Sequence, residues 1–176
     1  MGEFSLHCLK RGARVIAVEA DRTVFSVLER NLAAHERATA LNMAIAAEDG
    51  SMTFYSSVEG ADSSLVRPEI VDEEYEIRAV TLATLFAEQG IDHVDLLKCD
   101  AEGAEPEVVR GAMGVIDRIH RIAIDCGAER GGEATDGIVA PMLEEAGFDV
   151  RIGDAHPTRR VVWATNRNFR ANGSNA

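Results

Sequence analysis

Residues 93–106 read His93-Val94-Asp95-Leu96-Leu97-Lys98-Cys99-Asp100-Ala101-Glu102-Gly103-Ala104-Glu105-Pro106. A largely apolar run precedes acids, a glycine and a proline that can open a helix, which predicts a buried strand followed by a strand-to-helix turn. Ligands of open α/β sheets bind in the crevice outside the carboxyl ends of the strands. The segment therefore predicts an α/β fold in which the acids of this turn, and Asp100 first of all, lie beside a ligand.

The turn contains three acids within six residues, Asp100, Glu102 and Glu105. An unpaired buried carboxylate is costly, so a positively charged or hydrogen-bonding group must face these acids. A structural alternative exists for Glu102 and Glu105, because acids stabilise the N-terminus of a helix and Pro106 suits its first turn. For Asp100 we expect a functional role.

A second strand of the same kind follows. Residues 119–127 form another apolar run that ends in an acid, Asp125. Since this strand is the expected neighbour of the first, Asp100 and Asp125 should lie close together at the same edge. Two such carboxylates can hold a divalent cation or orient a substrate hydroxyl, although Asp125 can also cap a loop. We assign no residue as a metal ligand.

The rest of the chain alternates between the strand and helix periodicities. Residues 51–55 are expected to form a hairpin with the strand before them, and residues 56–74 a substrate-side flap. The last two strands are expected to form an antiparallel hairpin. The other predicted strands span residues 14–19, 39–47, 76–80, 148–152 and 160–165, and the helices residues 3–10, 23–35, 81–87, 106–116 and 135–146.

Length and charge limit the classes of function. A chain of 176 residues has the size of one domain, and its net charge of -12 is spread without a stripe of Lys or Arg. Nucleic acids and anionic membranes both require a concentrated positive field, so neither is expected as a partner. The composition favours a small-molecule or sugar substrate. It does not indicate an oligomeric state.

The cysteines indicate a compartment. Cys8, Cys99 and Cys126 lack the spacing of metal ligands, and two of them fall inside predicted strands. We therefore interpret them as small core residues in a reducing, cytoplasmic setting. No apolar run reaches the roughly 18 to 20 residues of a membrane span, and the N-terminus lacks a signal pattern.

Residues 15–19 form an apolar run that ends in Glu19. An acid at the end of the second strand of a nucleotide-binding unit can accept hydrogen bonds from both ribose hydroxyls. S-adenosylmethionine and NAD both carry a ribose, so Glu19 alone does not distinguish them, and a helix-capping acid is the structural alternative. An NAD enzyme is disfavoured because no Gly-x-Gly-x-x-Gly follows any strand.

The sequence resembles one known family. Asp95-Leu-Leu-Lys-Cys-Asp-Ala-Glu-Gly-Ala-Glu105, followed by Val108-Val-Arg-Gly-Ala112, is similar to the signature of the FkbM-type S-adenosylmethionine-dependent methyltransferases, which carry an Asp-x-Glu-Gly-x-Glu turn. The resemblance covers roughly residues 2–165, and implies a methyltransferase domain over residues 1–166 with a polar tail over 167–176. The implied fold is a Rossmann-like class I methyltransferase three-layer sandwich, whose mostly parallel sheet closes with an antiparallel hairpin.

The resemblance also implies roles for individual residues. Glu19 would bind the ribose, and Asp100 would face the methionine end of the cofactor or the acceptor. Glu102 and Asp125 would orient or deprotonate a hydroxyl, although family members usually carry Glu at the place of Asp125. The implied catalytic residues are Asp100, Glu102 and Asp125, and the implied cofactor-binding residues are Gly2, Glu19, Asn42, Met43, Ala44 and Asp100.

One part of the family pattern is missing. Gly2-Glu3-Phe4-Ser5-Leu6 resembles only the end of the family's opening Asp-x-Gly-Ala-Asn-x-Gly turn, and the strand that precedes this turn has no counterpart. That strand normally lies mid-sheet, beside the strand that leads to Asp100, so we interpret the chain as a shortened gene model or a fragment.

The resemblance, together with the missing opening strand and turn, leaves two functions open. The first is methyl transfer from S-adenosylmethionine to a hydroxyl of a small molecule or sugar. The alternative is a non-catalytic Rossmann-like remnant that acts as a binding or assembly module. The missing turn favours the remnant, whereas the three retained acids oppose it.

Overall fold

The structure, a computed structural model, describes residues 1–56, 65, 71–128, 130, 132–156 and 159–169. These residues form a mixed α/β fold, as predicted. The helices are α1 (Glu3–Lys10), α2 (Arg22–Leu32), α3 (Leu82–Gln89), α4 (Glu105–Ala112) and α5 (Asp136–Glu145), with a short 3-10 helix at Ile116–Arg118. The strands are β1 (Val15–Glu19), β2 (Ala38–Asn42), β3 (Ala44–Ile45), β4 (Gly50–Ser56), β5 (Glu73–Val80), β6 (Val94–Cys99), β7 (Ile119–Cys126), β8 (Phe148–His156) and β9 (Arg159–Asn166).

Helices α2 and α3 begin at a residue whose side chain caps them. Asp21 caps α2, because its carboxylate accepts hydrogen bonds from the backbone N–H groups of Thr23 and Val24. Thr81 caps α3 in the same way through the N–H of Thr84. Glu19 lies two residues before Asp21 and is not the cap of α2, so the capping alternative for Glu19 is wrong.

The strands form three sheets, in the orders β1-β2, β3-β5-β4 and β6-β7-β9-β8. The ladders β1/β2, β3/β5 and β6/β7 are parallel, and β4/β5, β7/β9 and β8/β9 are antiparallel. The parallel ladders agree with the prediction of a mostly parallel sheet. The described strands do not form the single sheet that was predicted. Within the described residues, no ladder joins β1 to β6. The closing antiparallel hairpin of β8 and β9 is confirmed.

Two predicted strand arrangements are wrong. The run 39–47 does not form one strand, because the β1/β2 ladder ends at Asn42 and the chain then enters a second sheet as β3. Residues 51–55 do not pair with the preceding strand, because β5 lies between β3 and β4 in the sheet. They belong to β4, which pairs with β5 through seven residue pairs. The proposed flap, residues 56–74, lies mostly outside the described residues.

Helices α3, α4 and α5 cover one face of the β6-β7-β9-β8 sheet and form the main core with it. The register places Leu96, Lys98, Arg121 and Trp163 on the other face, where they are exposed. A second covering layer over this face is therefore not present among the described residues. None of the helices that the structure describes is long and apolar enough to cross a membrane.

Candidate active site

The carboxyl ends of β1, β6 and β7 carry Glu19, Asp100 and Asp125. Cys99 pairs with Ile124 in the β6/β7 ladder, so Asp100 and Asp125 each follow one residue beyond this pair. Burial raises the pKa of the Glu19 carboxyl, and the charge of Asp100 makes a smaller contribution in the same direction. Acids that are distant in sequence are thus brought to one edge of the fold.

Glu19 is half-buried at the end of β1. Its Oε1 accepts a hydrogen bond from the N–H of Asp21 at 2.9 Å. Burial raises the pKa of the Glu19 carboxyl, and the nearby carboxylates of Asp21 and Asp100 raise it further. A group that donates hydrogen bonds to this carboxylate would relieve part of that cost.

Asn42 lies opposite Glu19 in the β1/β2 ladder. Its side-chain amide donates hydrogen bonds to the backbone carbonyls of Glu19, at 2.9 Å, and Ala20, at 3.2 Å. Asn42 therefore fixes the backbone that presents Glu19. Met43 and Ala44 are only 6% and 4% exposed and pack in two different core clusters. A cofactor contact from any of these three residues stays a prediction.

Gly2 caps α1 with a positive φ of 86°. A Cβ at this position would lie 3.0 Å from Leu28 Cδ1, so Gly2 packs against α2. Helix α2 begins at Arg22, shortly after Glu19. Leu28 lies six residues further along the helix, which corresponds to roughly 9 Å from its start. A cofactor contact from Gly2 stays a prediction.

The turn between β6 and α4 is held by a buried acid, Glu105, for which the sequence left a helix-capping alternative open. Glu105 is 0% exposed. Its Oε1 accepts hydrogen bonds from the N–H groups of Ala101 and Gly103, both at 3.0 Å. Its Oε2 accepts one from the hydroxyl of Thr135 at 2.8 Å. Glu105 thus closes the turn that carries Asp100 and Glu102.

Arg130 also holds this turn. Its Nε donates to the carbonyl of Gly103 at 3.0 Å, and a terminal guanidinium nitrogen pairs with Glu107 at 2.8 Å. The sequence indicated that a cation or hydrogen-bond donor must face the acids. It did not indicate Thr135 or Arg130, because both follow a different strand.

Asp100 itself pairs with Lys98 across 3.0 Å, with both side chains 39% exposed. An exposed pair of this kind contributes at most about 1 kcal/mol, so Asp100 can exchange Lys98 for a ligand at little cost. Within the described part of the chain, no group of three or more His, Cys, Asp or Glu residues is placed to hold a metal ion.

Glu105 gives the site a pH signature. Burial raises the pKa of its carboxyl, although hydrogen bonds from Thr135 and from the turn amides oppose this shift. A carboxyl group whose pKa is higher in the folded state than its unfolded value of about 4.3 stabilises the fold fully at a pH below about 4.3. This stabilisation is lost as the pH rises through the folded-state pKa. We therefore expect Glu105→Gln to gain stability relative to the unmodified protein as the pH rises above about 4. Urea unfolding at several pH values measures this difference, and a constant difference would contradict the assignment.

A cavity adjoins the turn. Its volume is about 320 Å³, and Arg130 and Thr135, which hold the turn, are among the residues that line it. The lining residues are Arg130, Glu133, Ala134, Thr135, Gly137 and Ile138. The cavity is large enough for a small organic molecule.

The buried cysteines behave as core residues, as predicted. Cys99 and Cys126 are buried free thiols on β6 and β7. Burial raises the pKa of Cys126 to about 11 and also raises the pKa of Cys99. Both thiols are therefore protonated at neutral pH.

Comparison with known proteins identifies the family of this chain. The family described as methyltransferase FkbM domain matches residues 3–150, which includes the β6–α4 turn and the ends of β1 and β7. The methyltransferase sdnD of Sordaria araneosa is 26% identical to the chain, in an alignment that covers 93% of this chain and 74% of the relative. No solved structure gives a significant match. With most of its length matched to the family, including the Asp-Ala-Glu-Gly-Ala-Glu turn, the chain belongs to the FkbM methyltransferases.

Proposed function

We propose that this domain transfers a methyl group from S-adenosylmethionine to a hydroxyl oxygen of a small molecule or sugar, with a Rossmann-like arrangement of its strands. The observation that carries the proposal is the placement of Glu19, Asp100 and Asp125 at the carboxyl ends of three strands that the family match includes. The family supports methyl transfer in general. The cofactor and the oxygen acceptor are our proposal.

Each acid has a distinct role in this proposal. Glu19 accepts hydrogen bonds from the ribose hydroxyls, which relieves the burial of its carboxylate. Asp100 leaves Lys98 and faces the cationic methionine end of the cofactor. Asp125 or Glu102 accepts the proton of the acceptor hydroxyl as the oxygen becomes nucleophilic. S-adenosylmethionine supplies a sulfonium methyl group, whose carbon bonds to the acceptor oxygen while its bond to sulfur breaks.

The acceptor is proposed to enter the cavity beside Arg130 and Thr135. Arg130 lines this cavity and donates a hydrogen bond to the carbonyl of Gly103 in the β6–α4 turn, which is our reason for proposing that the acceptor reaches Glu102 from here. A net charge of -12 favours a neutral or cationic small molecule over a polyanion. We place the activity in the cytoplasm, because Cys8, Cys99 and Cys126 are all free thiols.

Calorimetric titration with S-adenosylhomocysteine tests the proposal. We expect binding by the unmodified chain, and a Kd raised roughly 10- to 100-fold in Glu19→Ala, because hydrogen bonds to a charged group contribute about 1.5 to 3 kcal/mol. Glu36→Ala removes the same charge from an exposed position and is expected to leave Kd unchanged. Equal affinities of the Glu19→Ala variant and the unmodified chain would refute the ribose role.

The alternative function, a non-catalytic module, is favoured by one observation. Within the described residues, β1 and β6 belong to separate sheets, so no ladder fixes Glu19 relative to Asp100. If the folded chain does not bind S-adenosylhomocysteine at all, this second function replaces the first.

A further inference from the structure

The β6–α4 turn has a backbone that is costly to hold. Glu102 has a φ of 45°, and Gly103 follows with a φ of 95°. The left-handed conformation costs a non-glycine residue such as Glu102 about 1 to 2 kcal/mol. The turn therefore needs contacts that stabilise this conformation over a relaxed one.

The Glu105 carboxylate supplies these contacts. One oxygen accepts hydrogen bonds from the N–H groups of Ala101 and Gly103, which lie on either side of Glu102. These two amides can converge on one oxygen only while the backbone at Glu102 is curled. The carboxylate thus stabilises the strained conformation directly rather than the helix alone.

The other oxygen connects the turn to the start of α5. It accepts a hydrogen bond from the hydroxyl of Thr135, a residue that is 1% exposed and precedes α5. Arg130, from the same segment between β7 and α5, donates to the carbonyl of Gly103. The turn is therefore fixed to the segment that follows Asp125 and lines the cavity.

We propose that Glu105 is a positioning residue, whose buried carboxylate holds the β6–α4 turn so that Asp100 and Glu102 face the cofactor and the acceptor. This inference rests on the proposed function for the role of Asp100. Glu105 itself touches neither ligand. It acts through the backbone amides of Ala101 and Gly103.

Two variants of Glu105 separate positioning from simple loss of packing. Glu105→Gln keeps an oxygen that can accept both turn amides, and its NH₂ group can donate to the Thr135 hydroxyl, which also accepts. Glu105→Leu has a similar volume but accepts no hydrogen bond. We expect the Gln variant to retain the turn and the Leu variant to lose it.

Hydrogen exchange of the ligand-free protein is the first measurement. Glu105→Leu is expected to exchange the amides of Ala101 and Gly103 about tenfold faster or more, whereas Glu105→Gln stays near the unmodified rates. This readout needs no ligand. A protein that does not bind S-adenosylhomocysteine but shows this exchange pattern would refute the proposed function and leave the role of Glu105 in the turn intact.

The second measurement is a double-mutant cycle on the Kd of S-adenosylhomocysteine with Asp100→Ala, Glu105→Leu and the double variant. If Glu105 acts through Asp100, Glu105→Leu weakens binding about tenfold alone but much less in the Asp100→Ala protein. A purely structural role would multiply the two losses. The proposal would be overturned by multiplied losses of affinity, by unchanged exchange in Glu105→Leu, or by an equal loss of affinity in the Gln and Leu variants.

If Glu105→Leu does not fold, Thr135→Val serves in both measurements. It removes the hydroxyl bonded to Oε2 and leaves Glu105 in place. We expect a smaller increase in the exchange of Ala101 and Gly103 and a smaller loss of affinity that again depends on Asp100. No change in either quantity would overturn the proposal.

Discussion

Replacing Gly111 with alanine is expected to lower the free energy of unfolding by at least about 3 kcal/mol, because a Cβ at this position would overlap the backbone of another element. The added carbon would lie 2.0 Å from the carbonyl oxygen of Ala46 and 3.1 Å from its carbonyl carbon. Neither atom belongs to a side chain that can rotate away. Helix α4 would have to move, and its first turn holds Glu105.

Thermal unfolding followed by circular dichroism measures the effect of Gly111→Ala. We expect a Tm lower by roughly 6 to 12 °C, from about 2 to 4 °C per kcal/mol for a chain of this size. Gly137→Ala is the matched control, because Gly137 also lies in a helix and a Cβ there would meet nothing within 4 Å. The control is expected to gain up to about 1 kcal/mol from helix propensity. Equal Tm values for both variants would contradict the close approach of α4 to Ala46.

Phe148→Ala is the second large effect, with an expected loss of about 3 to 5 kcal/mol. Phe148 begins β8, is 1% exposed and packs in the main core cluster. Truncation of its ring leaves a cavity in a core shared by the sheet and α5, since the neighbouring backbone cannot collapse fully. The closing hairpin and the cavity-lining segment before α5 depend on this core.

Trp163→Ala provides the contrast within the same hairpin. Trp163 is 53% exposed, on the face of the sheet opposite the main core. We expect a smaller loss than for Phe148→Ala although the side chain is larger, because much of its surface already contacts water. Urea unfolding of both variants decides the comparison. A greater loss for Trp163→Ala would show that the exposed face is covered in solution.

Most of the secondary structure was predictable, because its determinants are local. The Asp100-to-Pro106 turn, the closing hairpin and the cap of α3 at Thr81 all follow from residues within a few positions of one another. The approach of Asp100 to Asp125 was also predictable, since neighbouring parallel strands end at one edge. The acids of the candidate site therefore came from the sequence.

Sheet membership was not predictable in the same way. The run 39–47 has the apolar character of a single strand, yet it divides at Met43 between partners β1 and β5. Periodicity reports which side chains are buried, whereas the choice of a partner strand depends on backbone groups far away in the chain. The same limit led to the wrong hairpin for residues 51–55.

The sequence by itself determined that this protein is an α/β domain with acids at the ends of its strands, and that its turn resembles that of a methyltransferase family. Only the tertiary structure decided how the acids are held. Glu105 meets Thr135 thirty positions away, and Gly103 meets Arg130, because α4 and α5 pack on one face of the same sheet. Such contacts depend on packing between distant elements, which no local pattern encodes.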